Sequence, residues 1–196
     1  MEEVWVYGIS EPQHFNKELE WNNTKKVAQE VSLEFHPNYK LFKTQSSYVL
    51  CDTNDLYVAH CQYKPVNLNN KAGIAIVDGF SKERNAYRML FYAILATKQK
   101  DFILSDVSMS TQAYKSWIKT LNDSSFKPFA TKGNIVIEYK EDEAFGHKDD
   151  RSKYDIRVGV TLATETMKIL ESLQEKITEN INLNNTRKVM QILSET

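Results

Sequence analysis

The 196-residue sequence predicts an α/β (α+β) fold: a mixed sheet of six or seven strands carrying helices, then a helical tail. Three observations lead there. The stretch "SSYVLCDTNDLYVAHCQYK" reads as two β-rich runs around a polar turn. Two fully apolar runs, "AGIAIVDGF" and "DFILSD", are each followed by residues of helical period. Beyond Glu165 apolar residues recur at helical steps.

The elements follow in order. "EVWVYGIS", residues 3–10, is rich in Val and aromatics and predicts a strand that Glu11-Pro12 breaks. From Phe15 to about Leu33 the spacing of Phe15, Leu19, Val27 and Val31 predicts one or two helices, with "NNT" at Asn22 as a break and a new cap. In the hairpin, Asp52-Thr53-Asn54-Asp55 forms the turn, because Asp and Asn bond their own backbone. That places Cys51 opposite Leu56 and Cys61 opposite Ser46. The two thiols are then about 16 Å apart at ~3.3 Å per residue, too far for a disulfide.

"AGIAIVDGF" predicts a strand buried on both faces, and Tyr87, Leu90, Phe91, Ile94 and Leu95 predict a helix from about Asn85 to Lys98. "DFILSD" is the next buried strand. "STQAYKSWIKTLN" is a helix capped by Ser110, with Tyr114, Trp117, Ile118 and Leu121 on one face. "NIVIEYK" and "YDIRVGVTL" are two further strands, and the charged stretch "EDEAFGHKDDRSK" loops out between them. Met167, Leu170, Leu173, Ile177 and Ile181, then Val189, Ile192 and Leu193, predict two tail helices broken around "NLNNT".

Composition bounds the function. A hydrophobic share of 41% supports a core, and 26% charged residues suit a soluble surface. The net charge of −1, from 25 basic and 26 acidic residues, argues against non-specific duplex binding, so no nucleic-acid partner is expected. No apolar run reaches the roughly 20 residues of a membrane helix, and the acidic start "MEEVWVYGIS" is unlike a secretory signal. The expectation is a cytoplasmic protein, without a membrane partner, whose Cys51 and Cys61 are free thiols. His14, His36 and His147 are scattered without metal-ligand spacing, so no metal is expected. His60 and Cys61 are adjacent in a strand and point to opposite faces, so one site cannot easily use both.

The element order, with the junctions "VDGFSKERNAYRML" and "ILSDVSMSTQAYKSWIKTL", resembles the GCN5-related N-acetyltransferase (GNAT) fold, and the second junction also resembles small GNAT-like proteins encoded by phages. The resemblance covers residues 1–162 as a GNAT-like domain and leaves residues 163–196 as a C-terminal helical extension. It implies a mostly antiparallel sheet with helices on both faces and a crevice for acetyl-CoA. The family's first junction reads R/Q-x-x-G-x-G/A and holds the cofactor pyrophosphate at a helix N-terminus. Registered on Val77, the matching positions are Lys82, Asn85 and Tyr87, and the implied cofactor-binding set is Val77, Lys82, Arg84, Asn85 and Arg88. Asn tolerates the left-handed conformation that glycine supplies in the family. Tyr87 puts a ring where the family leaves room for phosphate, and Glu83 adds a like charge. The basic residues read equally as a solvated helix end.

At the second junction the family carries N-x-x-A-x-x-x-Y, its Tyr serving as general acid. Aligned on Ala113, those positions hold Ser110 and Trp117, and an indole cannot deliver a proton. Tyr114, one turn earlier, can supply the phenol, or both aromatics are core. Asp106, at the carboxyl end of its strand, accepts an amine proton or caps the turn through the Ser108 and Ser110 amides. The resemblance thus implies an acyl-CoA-dependent N-acyltransferase acting on an amine. The alternative is a catalytically inactive GNAT-like binding protein, such as a phage modifier or inhibitor of a host protein. In either case the tail helices offer a surface for a protein partner or a homodimer.

Overall fold

Hydrogen-bonded neighbours along one sheet organise the chain from residue 29 onward. A computed structural model describes residues 20–33, 36–82, 85–141, 155–169 and 172. Its strands are β1 (Gln29–Val31), β2 (Tyr39–Lys43), β3 (Ser47–Asp52), β4 (Tyr57–Leu68), β5 (Lys71–Ser81), β6 (Phe102–Leu104), β7 (Phe126–Lys132), β8 (Ile135–Ile137) and β9 (Ile156–Leu162). Helix α1 spans Ala86–Ala96 and α2 spans Thr111–Leu121. The sheet order is β1-β2-β3-β4-β5-β6-β9-β7-β8. Among the described residues only β5 and β6 run parallel, through Gly73–Ala75 and Phe102–Leu104, and α1 makes the crossover between them. "AGIAIVDGF" and "DFILSD" are therefore neighbours, as the sequence predicts. The class is α+β with a mostly antiparallel sheet.

The strand count of six or seven is corrected to nine among the described residues. Two of the additional strands come from stretches whose polar residues hide the β pattern. β2 carries Lys40 and Lys43, and β7 carries Lys127, Pro128 and Lys132. Pro128 is tolerated because β8 pairs only with Ala130–Lys132, so the missing N–H breaks no ladder on that side. The helix expected to reach Leu33 is also corrected. Helical residues span 20–24, a 3₁₀ turn covers Lys25–Val27, and Gln29–Val31 is strand β1. Val27 is 79% exposed, so it does not belong to a buried helical stripe.

The β3–β4 hairpin is one residue longer in its turn than expected. The Asp52 carboxylate accepts from the Asn54 and Leu56 amides, and Asp55 takes a positive φ of 62°. A bulge between Leu50 and Cys51 then shifts the ladder, so Cys51 faces Tyr57 and Cys61 faces Tyr48. Both cysteines are free and buried, and burial pushes their thiols up to about 12. β4 and β5 form a second, longer hairpin. Asn69 and Asn70 turn it with φ of 49° and 63°, the paired left-handed conformation that a tight two-residue hairpin requires.

α1 and α2 pack into one core. Leu90, Phe91 and Ile94 of α1 and Trp117 and Leu121 of α2 cluster with Leu41, Tyr48, Cys61, Ile74, Val158 and Val160 of the sheet. Strand alternation sends the intervening residues to the other face. There Trp21 packs with Phe42, Val49 and Tyr57, and Leu68, Ala75, Phe102 and Leu104 form a separate cluster. The strand at 3–10, the helix start at Phe15, Arg84 with Glu83, the loop from 142 and the tail helices beyond residue 169, apart from 172, lie outside the described residues. Residues 164–169 are helical.

Candidate functional site

The parallel pair opens as it runs. β6 ends at Leu104, whereas β5 continues from Ile76 to Ser81 with its ladder on β4 alone. Ser105 turns toward β9, its amide donating to the Val158 carbonyl at 2.8 Å and its hydroxyl accepting from the Val158 amide at 3.2 Å. Beyond Ala75 and Leu104 the end of β5 and the Ser105–Ser110 segment share no ladder. On this part of β5 Tyr63 pairs with Ile76 and Gln62 with Asp78, which leaves Val77 as the extra residue of a bulge. Val77 is 38% exposed.

The first junction follows β5. The Lys82 amide donates to the Val58 carbonyl at 2.9 Å, and its ammonium lies 5.7 Å above the Tyr57 ring. Asn85 sits at φ 72° directly before α1, in the left-handed region, and its side chain caps no helix amide. A left-handed residue at that point turns the chain sharply into the helix. Arg88 is bound to Asp123 at 2.9 Å, so its charge is already engaged by the turn after α2. The Tyr87 ring packs on Phe91 at 4.7 Å and lies against Gly79, where even a methyl group would fall 2.0 Å from the phenol oxygen. Gly79 thus admits Tyr87 onto the strand. Burial raises the Tyr87 pKa well above its ordinary value and keeps the phenol protonated.

The second junction is a self-satisfied turn. The Asp106 carboxylate accepts from the Val107 amide at 2.7 Å, and the Ser105 hydroxyl donates to the Asp106 carbonyl at 2.9 Å. Ser110 caps α2 by accepting from the Ala113 amide at 3.2 Å. Trp117 is buried, with its ring 5.1 Å from Phe91. Tyr114 lies half-buried at the edge of the same core, beside Tyr139. Burial, then the Glu141 carboxylate, raises the Tyr114 pKa, and the same causes push Tyr139 up to about 12. Tyr114 is therefore a protonated phenol at neutral pH.

A third group was not anticipated. The Tyr57 hydroxyl is 2.5 Å from His60 Nδ1, and His60 Nε2 is 3.9 Å from the Asp78 carboxylate. Tyr57 also stacks on Phe80, nearly parallel at 6.3 Å. Burial raises the Tyr57 pKa, so the phenol stays protonated, and its hydroxyl also lies 3.4 Å from the Phe80 carbonyl, to which it can donate. His60 is paired with Val49 and Phe80, residues of the face opposite α1, whereas Cys61 belongs to the α1 core. The separation of His60 from Cys61 is thus as alternation requires. From the Asn-Asn turn alone Asp78 would oppose Cys61, and it is the bulge at Val77 that moves Asp78 opposite Gln62 and onto the His60 face.

Among the described residues no group of three or more His, Cys, Asp or Glu side chains is placed to hold a metal ion, and no helix is long and apolar enough to cross a membrane. No protein-family model matches the chain, and no curated protein matches its sequence.

Proposed function

We propose that the chain is a GNAT-like module that takes an acyl-CoA thioester into the crevice between β5 and the Asp106 turn, and that it transfers the acyl group to an amine in the cytoplasm. The observation that carries this reading is the opening of the one parallel strand pair beside a bulge, with a left-handed Asn85 leading into α1. The pyrophosphate would lie near Lys82, Arg84 and the start of α1, where positive charge and the helix dipole favour an anion. Val77 would present strand backbone to the thioester carbonyl, where an N–H donor polarises it. The amine then attacks, Asp106 or water takes its proton, and the Tyr114 phenol protonates the departing thiolate.

Tyr87 favours a second reading. Its ring occupies the Gly79 side of the crevice, and Arg88 is bound to Asp123. A binding module without catalysis, acting on a protein partner, tolerates both. Calorimetry of the full chain with acetyl-CoA separates the two. Saturable binding, weakened about tenfold or more in the Lys82→Glu, Arg84→Glu double variant, is the outcome expected of the acyl-CoA reading, because two attractions become repulsions. Absence of acetyl-CoA binding leaves the second reading.

A further inference from the structure

We infer that the cavity where β2 runs past the end of β1 binds a small protonated amine with an apolar body. The place is at the β1 edge of the sheet, away from β5 and β6, and the inference is independent of the acyl-CoA reading. Among the described residues β1 pairs with β2 through Leu41–Lys43, which leaves Tyr39 and Lys40 without a strand on that side. Two successive turns occupy the space instead. The His36 amide donates to the Leu33 carbonyl at 3.0 Å, and the Tyr39 amide donates to the His36 carbonyl at 3.2 Å. Pro37 stands second in the latter turn, where its fixed φ suits the bend. The turns leave an open cavity of about 410 Å³, within the size range of small-molecule sites.

The lining decides the ligand. Leu33 is buried in the α1 core and Val31 and Tyr39 pack against it, which gives the cavity an apolar side. Glu30 is exposed and brings a carboxylate. Lys40 lines the cavity too, but its ammonium is bound to Asp55 at 2.7 Å. Glu30 acts on Lys40 as a neighbouring charge and makes no ion pair with it. The His36 ring leans on the Tyr39 ring at 5.2 Å, tilted by 47°. Its Nδ1 is buried without a hydrogen-bond partner among the described residues, so the ring keeps unfilled hydrogen-bonding capacity. These features favour one kind of occupant. Aromatic faces attract a cation, an ionised carboxylate can only accept, and an apolar body covers Val31 and Leu33. An anion would meet the Glu30 carboxylate while the Lys40 charge is already engaged.

The test is amide NMR of the full chain titrated with benzylamine, benzyl alcohol and benzoate, which share an aromatic body and differ in charge. Benzylamine is expected to shift the amides around Glu30 and His36 saturably, with a Kd on the order of 1 mM, as suits a ligand of few atoms. Benzyl alcohol is expected to bind about fivefold more weakly, and benzoate more weakly still. Glu30→Gln, a change at an exposed position, is expected to weaken benzylamine about fivefold and bring it level with the alcohol. His36→Ala is expected to weaken it about threefold. Amide dispersion in the rest of the chain checks that each variant keeps its fold. Binding of the three probes with equal affinity, an unchanged benzylamine Kd in Glu30→Gln, or the absence of saturable shifts at this edge of the sheet overturns the inference.

Discussion

Asp55 ties three parts of the chain together from one left-handed position. Its carboxylate accepts from Lys25 at 2.8 Å and Lys40 at 2.7 Å, and its carbonyl accepts from the Trp21 indole at 3.4 Å. The hairpin turn is thereby fastened to the segment before β1 and to β2. The two lysine ammonium groups hold the Asp55 carboxyl below its ordinary pKa. A depressed folded-state pKa means that the interaction stabilises the protein above the unfolded value, near about 3.9, and is lost as pH falls through the folded one. Asp55→Asn keeps a residue that tolerates positive φ and removes only the charge. Its urea midpoint is expected to fall below that of the original protein at pH 7. The gap should narrow as pH falls from the unfolded-state value through the lowered folded-state pKa, and a gap unchanged by acid would assign the effect to the turn rather than the ion pairs.

At the scale of elements, α1 and α2 meet through Phe91 and Trp117, whose rings lie 5.1 Å apart in the core. Trp117→Ala should lower unfolding stability by about 3–5 kcal/mol, read from urea denaturation, whereas Lys115→Ala on the exposed side should change it by less than about 0.5 kcal/mol. A small loss at Trp117 would mean that the indole contributes little to the core in which it is buried. These helices, and β5 and β6 beside them, were legible because apolar period survives in them without interruption. β2 and β7 were not, because lysines and Pro128 break up short strands whose burial comes from neighbours on the sheet. The β4–β5 turn was legible in principle, since two consecutive Asn residues suit paired positive φ. The bulge at Val77, which moves Asp78 from opposite Cys61 onto the His60 face, leaves no such mark in the sequence. The candidate residues near the two junctions were found by position, yet their partners were not: Arg88 with Asp123 and Tyr87 with Gly79 are pairings set by tertiary packing.

At the scale of the whole molecule, the sequence of the tail raises the question of a second copy. Met167, Leu170, Leu173, Ile177 and Ile181 recur at three- and four-residue steps, with Val189, Ile192 and Leu193 repeating the pattern beyond "NLNNT". The described part of this segment, residues 164–169, is helical, carries the Lys168–Glu165 pair at 3.1 Å, and leaves Ile169 61% exposed. Each large apolar side chain left in water costs on the order of 1.5–3 kcal/mol relative to burial, which is the ground for expecting such a stripe to dock. Its own sheet and a second copy are the two surfaces on offer. A two-fold pairing of the tails buries the same stripe twice, which makes a homodimer the simpler solution. Sedimentation is expected to show a dimer for the full chain at tens of micromolar, on the order of the weak homodimer range. A chain ending at Ala163 should run as a monomer with lower solubility. A full chain that stays monomeric, joined to a truncated one of equal solubility, would place the stripe on its own sheet or show that it needs no cover.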